Sequence, residues 1–557
     1  MYRRLSHRFI VIVSTLFVYG VIFSFSVFAA DPKIEFFEEN GQTYIRIDMD
    51  PFSLSEEKES KEITPILIIN NRGAGNGDPT KDQPQIKELK QLLTAQKIPY
   101  ADFAIDRKRS PEENAEAIAQ KIRSLNSLYK KPIGIVIAGG DGTYTKVVSG
   151  ILSHCDCLTE NPKIETFEEM IAFIALPPRV GTANDIGNVM GSSKDMDVFF
   201  KALQEGPIIP IRFPIMRRST EPDKPSITFH LDTVGLSGDL FKEAEKSKGD
   251  NANFITRRFP KLAYFFGLPI SIVRATSKDS IFHYKLTVTK DGKEVVTQEN
   301  ESILYGLASL PILGSIGTVK GCRIGTGEKN PRLAFINVKP IESNPLIQLI
   351  RRVPFLLELF GSTFLRYFGY DPYKSDTISE FSKRISLVDH IPIEGTPGTI
   401  ITIKITKRIG PNTQDAGFSL VTSGDLIDLK SVGEPTGNIH YEEIVVSFPK
   451  DPNADILVSR ESPLYKEHVS GHIQSQIDAL EKIYNRLFNL PYDPHLPIME
   501  KKEKDKVLKR LAILQQAALK KAEKTKIADL IDRFTILFNS YAPNIRQVNR
   551  AACGRIF

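Results

Sequence analysis

Three apolar runs, 66–69, 133–138 and 171–176, each end in a turn that carries glycine, and helical patterns alternate with them along the chain. Ile86, Leu89 and Leu93 share one face of a predicted helix, and Val147, Val148, Ile151 and Leu152 share another. Ser110-Pro111-Glu112-Glu113 has the form of a capping box opening a third. Strands and helices in this alternation predict a doubly wound α/β domain over residues 62–212. In such a sheet, ligands bind outside the carboxyl ends of the strands, which is where all three glycine turns fall.

The middle turn carries the most chemistry. The buried strand 133–138 runs into Gly139-Gly140-Asp141-Gly142-Thr143 and then into a helix. Glycine lets a phosphate approach the backbone closely, and a helix N-terminus aims free N–H groups and a positive dipole end at it. Asp141 adds a carboxylate that a plain turn does not need, able to hold a metal ion or to take a proton from an attacking hydroxyl. The first turn contains Asn70, Asn71, Arg72, Gly73 and Gly75; the third contains Gly181, Thr182, Asn184 and Asp185. One glycine-rich loop is weak evidence, but three on one sheet edge predict a cradle for nucleotide phosphates.

Length and composition bound the rest. At about 150 residues per domain, 557 residues make room for several domains, and 41% hydrophobic with 25% charged residues describes a globular chain. The net charge of +6 is too mild to imply nucleic acid as a partner, and three of those units are Arg3, Arg4 and Arg8. Four cysteines cannot build a dense disulfide framework in a chain of this length. Residues 9–28 are uncharged and apolar behind a basic flank, so 1–30 reads as a signal peptide cleaved after Ala29 or as a retained anchor, and the body as exported. An N-terminal extension, 31–61, shows a hairpin pattern around Asn40-Gly41.

From 213 to 408 the texture is β-rich, with alternating runs such as 227–234 and 282–289 and an Asp291-Gly292 turn; an insertion at 342–375 interrupts it. Residues 409–460 read as an extra β segment and 461–557 as a helical tail, with Ile473, Ile477, Leu480, Ile483 and Leu487 at helical spacing. Apolar clusters flanked by Arg351, Arg352 and Arg366 in 342–368 suit docking on a membrane surface. His154, Cys155 and Cys157 lack a second ligand cluster and read as a surface helix end; Arg217-Arg218 reads as solvated charge or as a contact for anionic headgroups.

Asn70-x-x-x-Ala74-Gly75, Gly139-Gly140-Asp141-Gly142-Thr143 and Pro178-Arg179-Val180-Gly181-Thr182-x-Asn184-Asp185 together resemble the catalytic domain of diacylglycerol kinases, sphingosine kinases and related bacterial lipid kinases. The likeness continues weakly to about residue 408. It implies an α/β nucleotide domain followed by a β-sandwich lipid domain, with ATP in the cleft, Mg²⁺ required and a diacylglycerol- or sphingosine-like hydroxyl phosphorylated. It further implies Asn70, Arg72, Gly73, Gly75, the 139–143 turn, Gly181, Thr182, Asn184 and Asp185 as nucleotide-binding residues. Asp141 and Glu394 are the implied catalytic carboxylates; the metal ligands stay open. This sequence departs from the pattern at Asn71, where the family has Pro, at Asn330-Pro331 for Asp-Gly, and at Glu394-Gly395-Thr396 for Asp-Gly-Glu. Two rivals remain: a catalytically silent nucleotide- or lipid-binding protein of the same fold, and an NAD kinase-like enzyme, which the Gly181–Asp185 loop disfavours. Export poses the question of where ATP is met; delivery into the cytosol of a host cell answers it.

Overall fold

A computed structural model describes residues 34–39, 42–47, 64–73, 80–106, 108–176, 185–190, 196–228, 231–235, 281–310, 312–313, 317–318, 322–327, 329–340, 388–408, 418–422, 425–432, 438–489, 498–499 and 501–540. The chain divides into two compact units, one between residues 57 and 465 and one built from the two ends, 1–56 with 466–557. The expected signal segment 1–30 and the insertion at 342–375 lie outside the described residues. In the terminal unit, β1 (Ile34–Glu39) and β2 (Gln42–Ile47) pair antiparallel with Glu39 opposite Gln42, and Asn40-Gly41 lie outside the described residues.

The larger unit starts with the alternation read from the sequence. It runs β3 (Ile66–Asn70), α1 (Pro84–Ala95), β4 (Tyr100–Ala104), α2 (Pro111–Tyr129), β5 (Ile133–Ala138), α3 (Asp141–His154), α4 (Ile164–Met170), β6 (Ile171–Ala175), α5 (Asp185–Met190), α6 (Met196–Glu205) and β7 (Ile208–Arg212). β4, β3, β5 and β6 are parallel neighbours in that order. Every residue of β3 and β5 is buried, because helices cover both faces of the sheet. Ile66, Ile68 and Val136 pack under α1 and α6, while Leu67, Ile69, Ile135 and Ile137 pack under α2 and α3. The capping box at Ser110 forms: its Oγ accepts the Glu113 N–H at 3.1 Å, and Glu113 Oε2 accepts the Ser110 N–H at 2.7 Å.

The β-rich stretch supplies β8 (Ile215–Arg218), β9 (Glu221–Ile227), β10 (Leu231–Gly235), β11 (Phe282–Lys290), β12 (Lys293–Ser302), β13 (Leu304–Ala308), the short pair β14 (Ile312–Leu313) and β15 (Gly317–Thr318), β16 (Gly325–Thr326), β17 (Arg332–Val338), β18 (Val388–Glu394) and β19 (Thr399–Arg408). The following stretch adds β20 (Phe418–Thr422), β21 (Asp425–Leu429), β22 (Ser431–Val432), β23 (Asn438–Tyr441), β24 (Ile444–Ser447) and β25 (Ala454–Leu457). Two antiparallel sheets result, one ordered β18-β17-β13-β10-β20-β21 and one ordered β12-β11-β19-β24-β8-β9, the latter with β22 and β23 joined to β19. They share one core, in which Tyr284 of the second sheet meets Phe335 of the first with ring centroids 5.3 Å apart. The run 227–234, expected as one strand, is two: β9 belongs to one sheet and β10 to the other. At the β11–β12 hairpin, Asp291 and Gly292 both have positive φ (51° and 76°), the conformation a tight two-residue turn requires and that Asp-Gly favours.

Residues 409–460, read from the sequence as one extra β segment, serve three sheets. β20 and β21 complete the first antiparallel sheet, β22 to β24 join the second, and β25 enters the α/β sheet, parallel to β6 and antiparallel to β7. The full α/β sheet is thus β16-β7-β25-β6-β5-β3-β4. Asn453, fully buried, fastens this return: its Oδ1 accepts the Phe213 N–H at 2.9 Å, and its Nδ2 donates to the Phe213 carbonyl at 3.2 Å.

Two surface readings are corrected. Cys155 and Cys157 are buried in the core beside α3, since the chain turns inward after the helix. Arg217 and Arg218 tie neighbouring elements: Arg217 donates to Leu158 O at 2.8 Å and to Ser447 Oγ at 3.2 Å, and Arg218 pairs with Glu221 and the fully buried Glu442.

The helical tail comprises α7 (Pro463–Phe488), the short strand β26 (Ile498–Met499), α8 (Lys501–Ala517) and α9 (Lys521–Ser540). Ile473, Ile477, Leu480, Ile483 and Leu487 are all buried against Leu511, Leu514 and Phe534 and against Ile45 and Ile47 of the N-terminal hairpin, whose β2 pairs with β26. The N-terminal extension and the tail therefore make one core. Among the described residues, no helix is long and apolar enough to cross a membrane.

Asn453→Ala should leave the buried N–H and C=O of Phe213 without partners and destabilise the protein by about 2–4 kcal/mol, at about 1–3 kcal/mol per stranded group with partial relaxation. Urea denaturation followed by circular dichroism measures it, and an unchanged midpoint would remove Asn453 as the fastener of β25.

Candidate functional site

β3 and β5 lie side by side, yet α1 leaves β3 toward one face of the sheet and α3 leaves β5 toward the other. A crevice opens at the carboxyl ends of such a strand pair, the point where the winding direction reverses. Here the first two glycine turns are sewn together. The Asn71 N–H donates to Ala138 O at 2.8 Å, and Asn71 Nδ2 donates to Thr143 Oγ1 at 2.7 Å. Gly140 is the N-cap of α3, and Asp141 is its first residue. A Cβ on Gly139 would stand 2.5 Å from Thr143 Cγ2, so only glycine lets the strand end pass this close to the first helical turn.

Asp141 Oδ1 accepts the backbone N–H of Ile186 at 3.2 Å, which brings the start of α5 against the start of α3. Of the residues singled out from the sequence, Asn70, Arg72, Gly73, Gly139, Gly140, Asp141, Gly142 and Thr143 are gathered on this edge. Gly75, Gly181, Thr182 and Asn184 lie outside the described residues; Asp185 opens α5, its side chain outside them.

Sequence reasoning missed a charged cluster behind the first turn. Asp82, just before α1, accepts Asn70 Nδ2 at 3.1 Å and Arg72 Nε at 2.9 Å on Oδ1, and Lys90 Nζ at 2.6 Å on Oδ2. Lys90 also reaches Asp102 Oδ2 at 2.7 Å, and Arg72 Nη2 lies 3.6 Å from the same oxygen. Burial pushes the Asp82 carboxyl up, but the hydrogen bonds and charges of Lys90 and Arg72 outweigh it and hold the group below its ordinary value. Burial pushes the Lys90 ammonium down, and Asp102 and Asp82 outweigh that and hold it above its ordinary value. No glycine or periodicity marks these residues: Asp82 precedes α1 and Lys90 lies in the middle of it, so no local spacing signals their pairing.

Glu394 is not brought to this edge. It is the last residue of β18, opposite Arg332, and its two carboxylate oxygens receive Arg323 and Arg332. Arg323 Nε donates to Asn330 O at 3.0 Å, and Arg212 Nη1 donates to Asn330 Oδ1 at 2.9 Å. Ile209 and Ile174 flank Ile456 of β25, and β7 runs antiparallel to β6, so Arg212 falls level with Ile171, the first residue of β6. The Glu394 cluster is thus anchored at the amino edge of the parallel strands, whereas the glycine turns follow their carboxyl edge. Thr396, next in that turn, shares a hydrogen bond with Thr399.

Residues 65–213 match the family model of the diacylglycerol kinase catalytic domain. The matched segment runs from the start of β3 to just past the end of β7 and contains all three glycine turns. It covers the strands β3 to β7 and the helices between them, but not β16 and β25 of the same sheet. Among solved structures, "Crystal structure of a putative diacylglycerol kinase from Bacillus anthracis str. Sterne" is similar at 13% identity and a TM-score of 0.39, covering 72% of this chain and 96% of that one. No curated protein sequence matches.

The Asp82 cluster has a pH signature. A carboxyl held below its unfolded value contributes stability that is present at neutral pH and lost as pH falls through its folded value, here below 3.8. Lys90, raised above 10.5, contributes stability that is lost only as pH rises through its folded value. Asp82→Asn should therefore cost about 2 kcal/mol at neutral pH and flatten the loss of stability on the acid side, below the ordinary carboxylate value of 3.8. Urea midpoints against pH check both; parallel acid limbs for variant and wild type would refute the assignment.

Proposed function

We propose that the protein is an ATP-dependent lipid kinase, transferring the γ-phosphate to a hydroxyl of a diacylglycerol- or sphingosine-like lipid. One observation carries the reading: Asp141 stands at the first turn of α3, between two sewn glycine turns and the start of α5, inside the segment that matches the diacylglycerol kinase catalytic domain.

The chemistry follows from that placement. Gly139, Gly140 and Gly142 carry no side chains, so phosphate oxygens can reach the N–H groups at the start of α3, whose dipole favours the anion. Mg²⁺ takes hard oxygen donors, keeping one or two carboxylates beside the phosphates of the substrate. Asp141 and the acidic position 185, next to the Ile186 N–H that Asp141 accepts, fit that donor set. The ion, when bound, neutralises phosphate charge. Asp141 is also the carboxylate on this edge that can take the proton of the lipid hydroxyl. As that proton leaves, the lipid oxygen forms a bond to the γ-phosphorus, the bond to the β–γ bridging oxygen breaks, and ADP departs. The two antiparallel sheets that share one core are the body proposed to receive the lipid.

A second reading, a protein that binds nucleotide or lipid without turnover, is favoured by the arginines that engage Glu394 and Asn330, positions where the resemblance expects catalytic or metal-binding acids. The export segment at 1–30 supports an exported protein that meets ATP in the cytosol of a host cell, and the apolar, arginine-flanked stretch 342–368 supports docking on a membrane surface.

Incubating the purified protein with γ-labelled ATP and a mixed lipid extract should yield a labelled, chloroform-soluble product. Asp141→Asn should lower that rate by about 10²-fold or more while nucleotide binding persists. ATP binding with no labelled lipid from wild type would select the silent reading, and full activity in Asp141→Asn would dismiss Asp141 as the working carboxylate.

A further inference from the structure

Asn70, the last residue of β3, is buried to 1% exposure, and no donor reaches its Oδ1 among the described residues. Its orientation is set by its neighbour. Asp82, held ionised by Lys90 and Arg72, can only accept hydrogen bonds, so the amide must present Nδ2 to it, as it does at 3.1 Å. A flip would set two acceptors face to face. Oδ1 is therefore held in one direction, on the sheet edge where β3 and β5 open the crevice, without a partner. Asn71 differs: its amide meets a Thr143 hydroxyl, which can donate or accept, so either orientation serves.

A buried acceptor without a partner costs about 1–3 kcal/mol, a cost a site can recover when a ligand supplies the donor. Phosphate oxygens cannot supply one, because they too only accept. A nucleotide carries such donors elsewhere, on the ribose hydroxyls and on the exocyclic amine of adenine.

We propose that Asn70 is a specificity-determining residue that reads an O–H or N–H donor of the nucleoside rather than phosphate, and that Asp82 is the positioning residue that keeps its oxygen turned to that donor. This rests on the kinase reading of the same site. It assigns the first glycine turn a different task from the other two: α3 and its glycines take the phosphates, and the end of β3 takes the nucleoside.

The test is calorimetric titration of the purified full chain with ATP, 2′-deoxy-ATP, 3′-deoxy-ATP and purine riboside triphosphate, which lacks the exocyclic amine. Wild type should bind one analogue about tenfold or more weakly than ATP and the others within about twofold, and the weak analogue names the donor. In Asn70→Ala that difference should vanish. Asp82→Asn keeps Asn70 but frees its amide to turn, so the difference should shrink to about threefold or less. Three analogues that all bind wild type as ATP does, or a difference that survives Asn70→Ala, would overturn the proposal. So would a difference that disappears when EDTA replaces Mg²⁺, which would give the oxygen to the cation. The wild-type comparison stands without any variant having to fold. Failure of ATP itself to bind would overturn the kinase reading along with this one, whereas equal binding of ATP and its analogues would overturn this one alone.

Discussion

The pairing of β25 between β6 and β7 is the constraint on which the larger unit depends. Ile456 pairs with Ile174 on one side and with Ile209 on the other. The chain leaves the α/β sheet after β7, builds two antiparallel sheets and must come back to fill that place. Without it, β7 and the short β16 beyond it would have no neighbour connecting them to the parallel strands. Asn453, holding both backbone groups of Phe213, pins return and departure at one point. Pairing across so long a stretch of chain has a high entropic cost in forming, but once made it binds the sheets into one compact unit.

That closure separates two carboxylates of similar chemistry. Asp82 and Glu394 are each flanked by two cationic side chains, Lys90 and Arg72 for one, Arg323 and Arg332 for the other. Asp82 lies behind the turn that follows β3, at the carboxyl edge of the parallel strands, where it accepts a hydrogen bond from Asn70 Nδ2. Glu394 lies with Asn330 and Arg212 toward the amino edge, where its ion pairs bind β17, β18 and the Arg323 segment together. An ion-paired carboxylate is not informative by its partners alone; the strand edge on which it sits decides what it can do.

The same edge explains why Asp141 and not Glu394 is the acid on which the proposed chemistry rests. Asp141 is delivered by the shortest route a chain has, a buried strand, two glycines and the first turn of a helix. Its bond to the Ile186 N–H then brings the start of α5 against it. Glu394 depends on sheet register, on β16 and on the anchoring of Asn330, and each of those is set far from it in sequence.

What the chain's own sequence determined is what short-range physics controls. The buried strand leading into Gly139 and Gly140, the capping box at Ser110, the Asp291-Gly292 hairpin and the apolar stripe of α7 were all legible, because each follows from backbone freedom, local hydrogen bonding or periodicity within a few residues. The α/β class and the strand edge that carries the glycine turns followed from the same patterns. Only the tertiary structure decided that β25 returns to the first sheet, that β9 and β10 belong to different layers, and that Cys155 and Cys157 are buried. It likewise decided that Arg218 meets Glu442, that Glu394 is claimed by two arginines, and that Asp82 steers Asn70. A strand's alternation tells which face is apolar but not which edge it will pair with, and a charged residue carries no mark of the partner that folding brings to it.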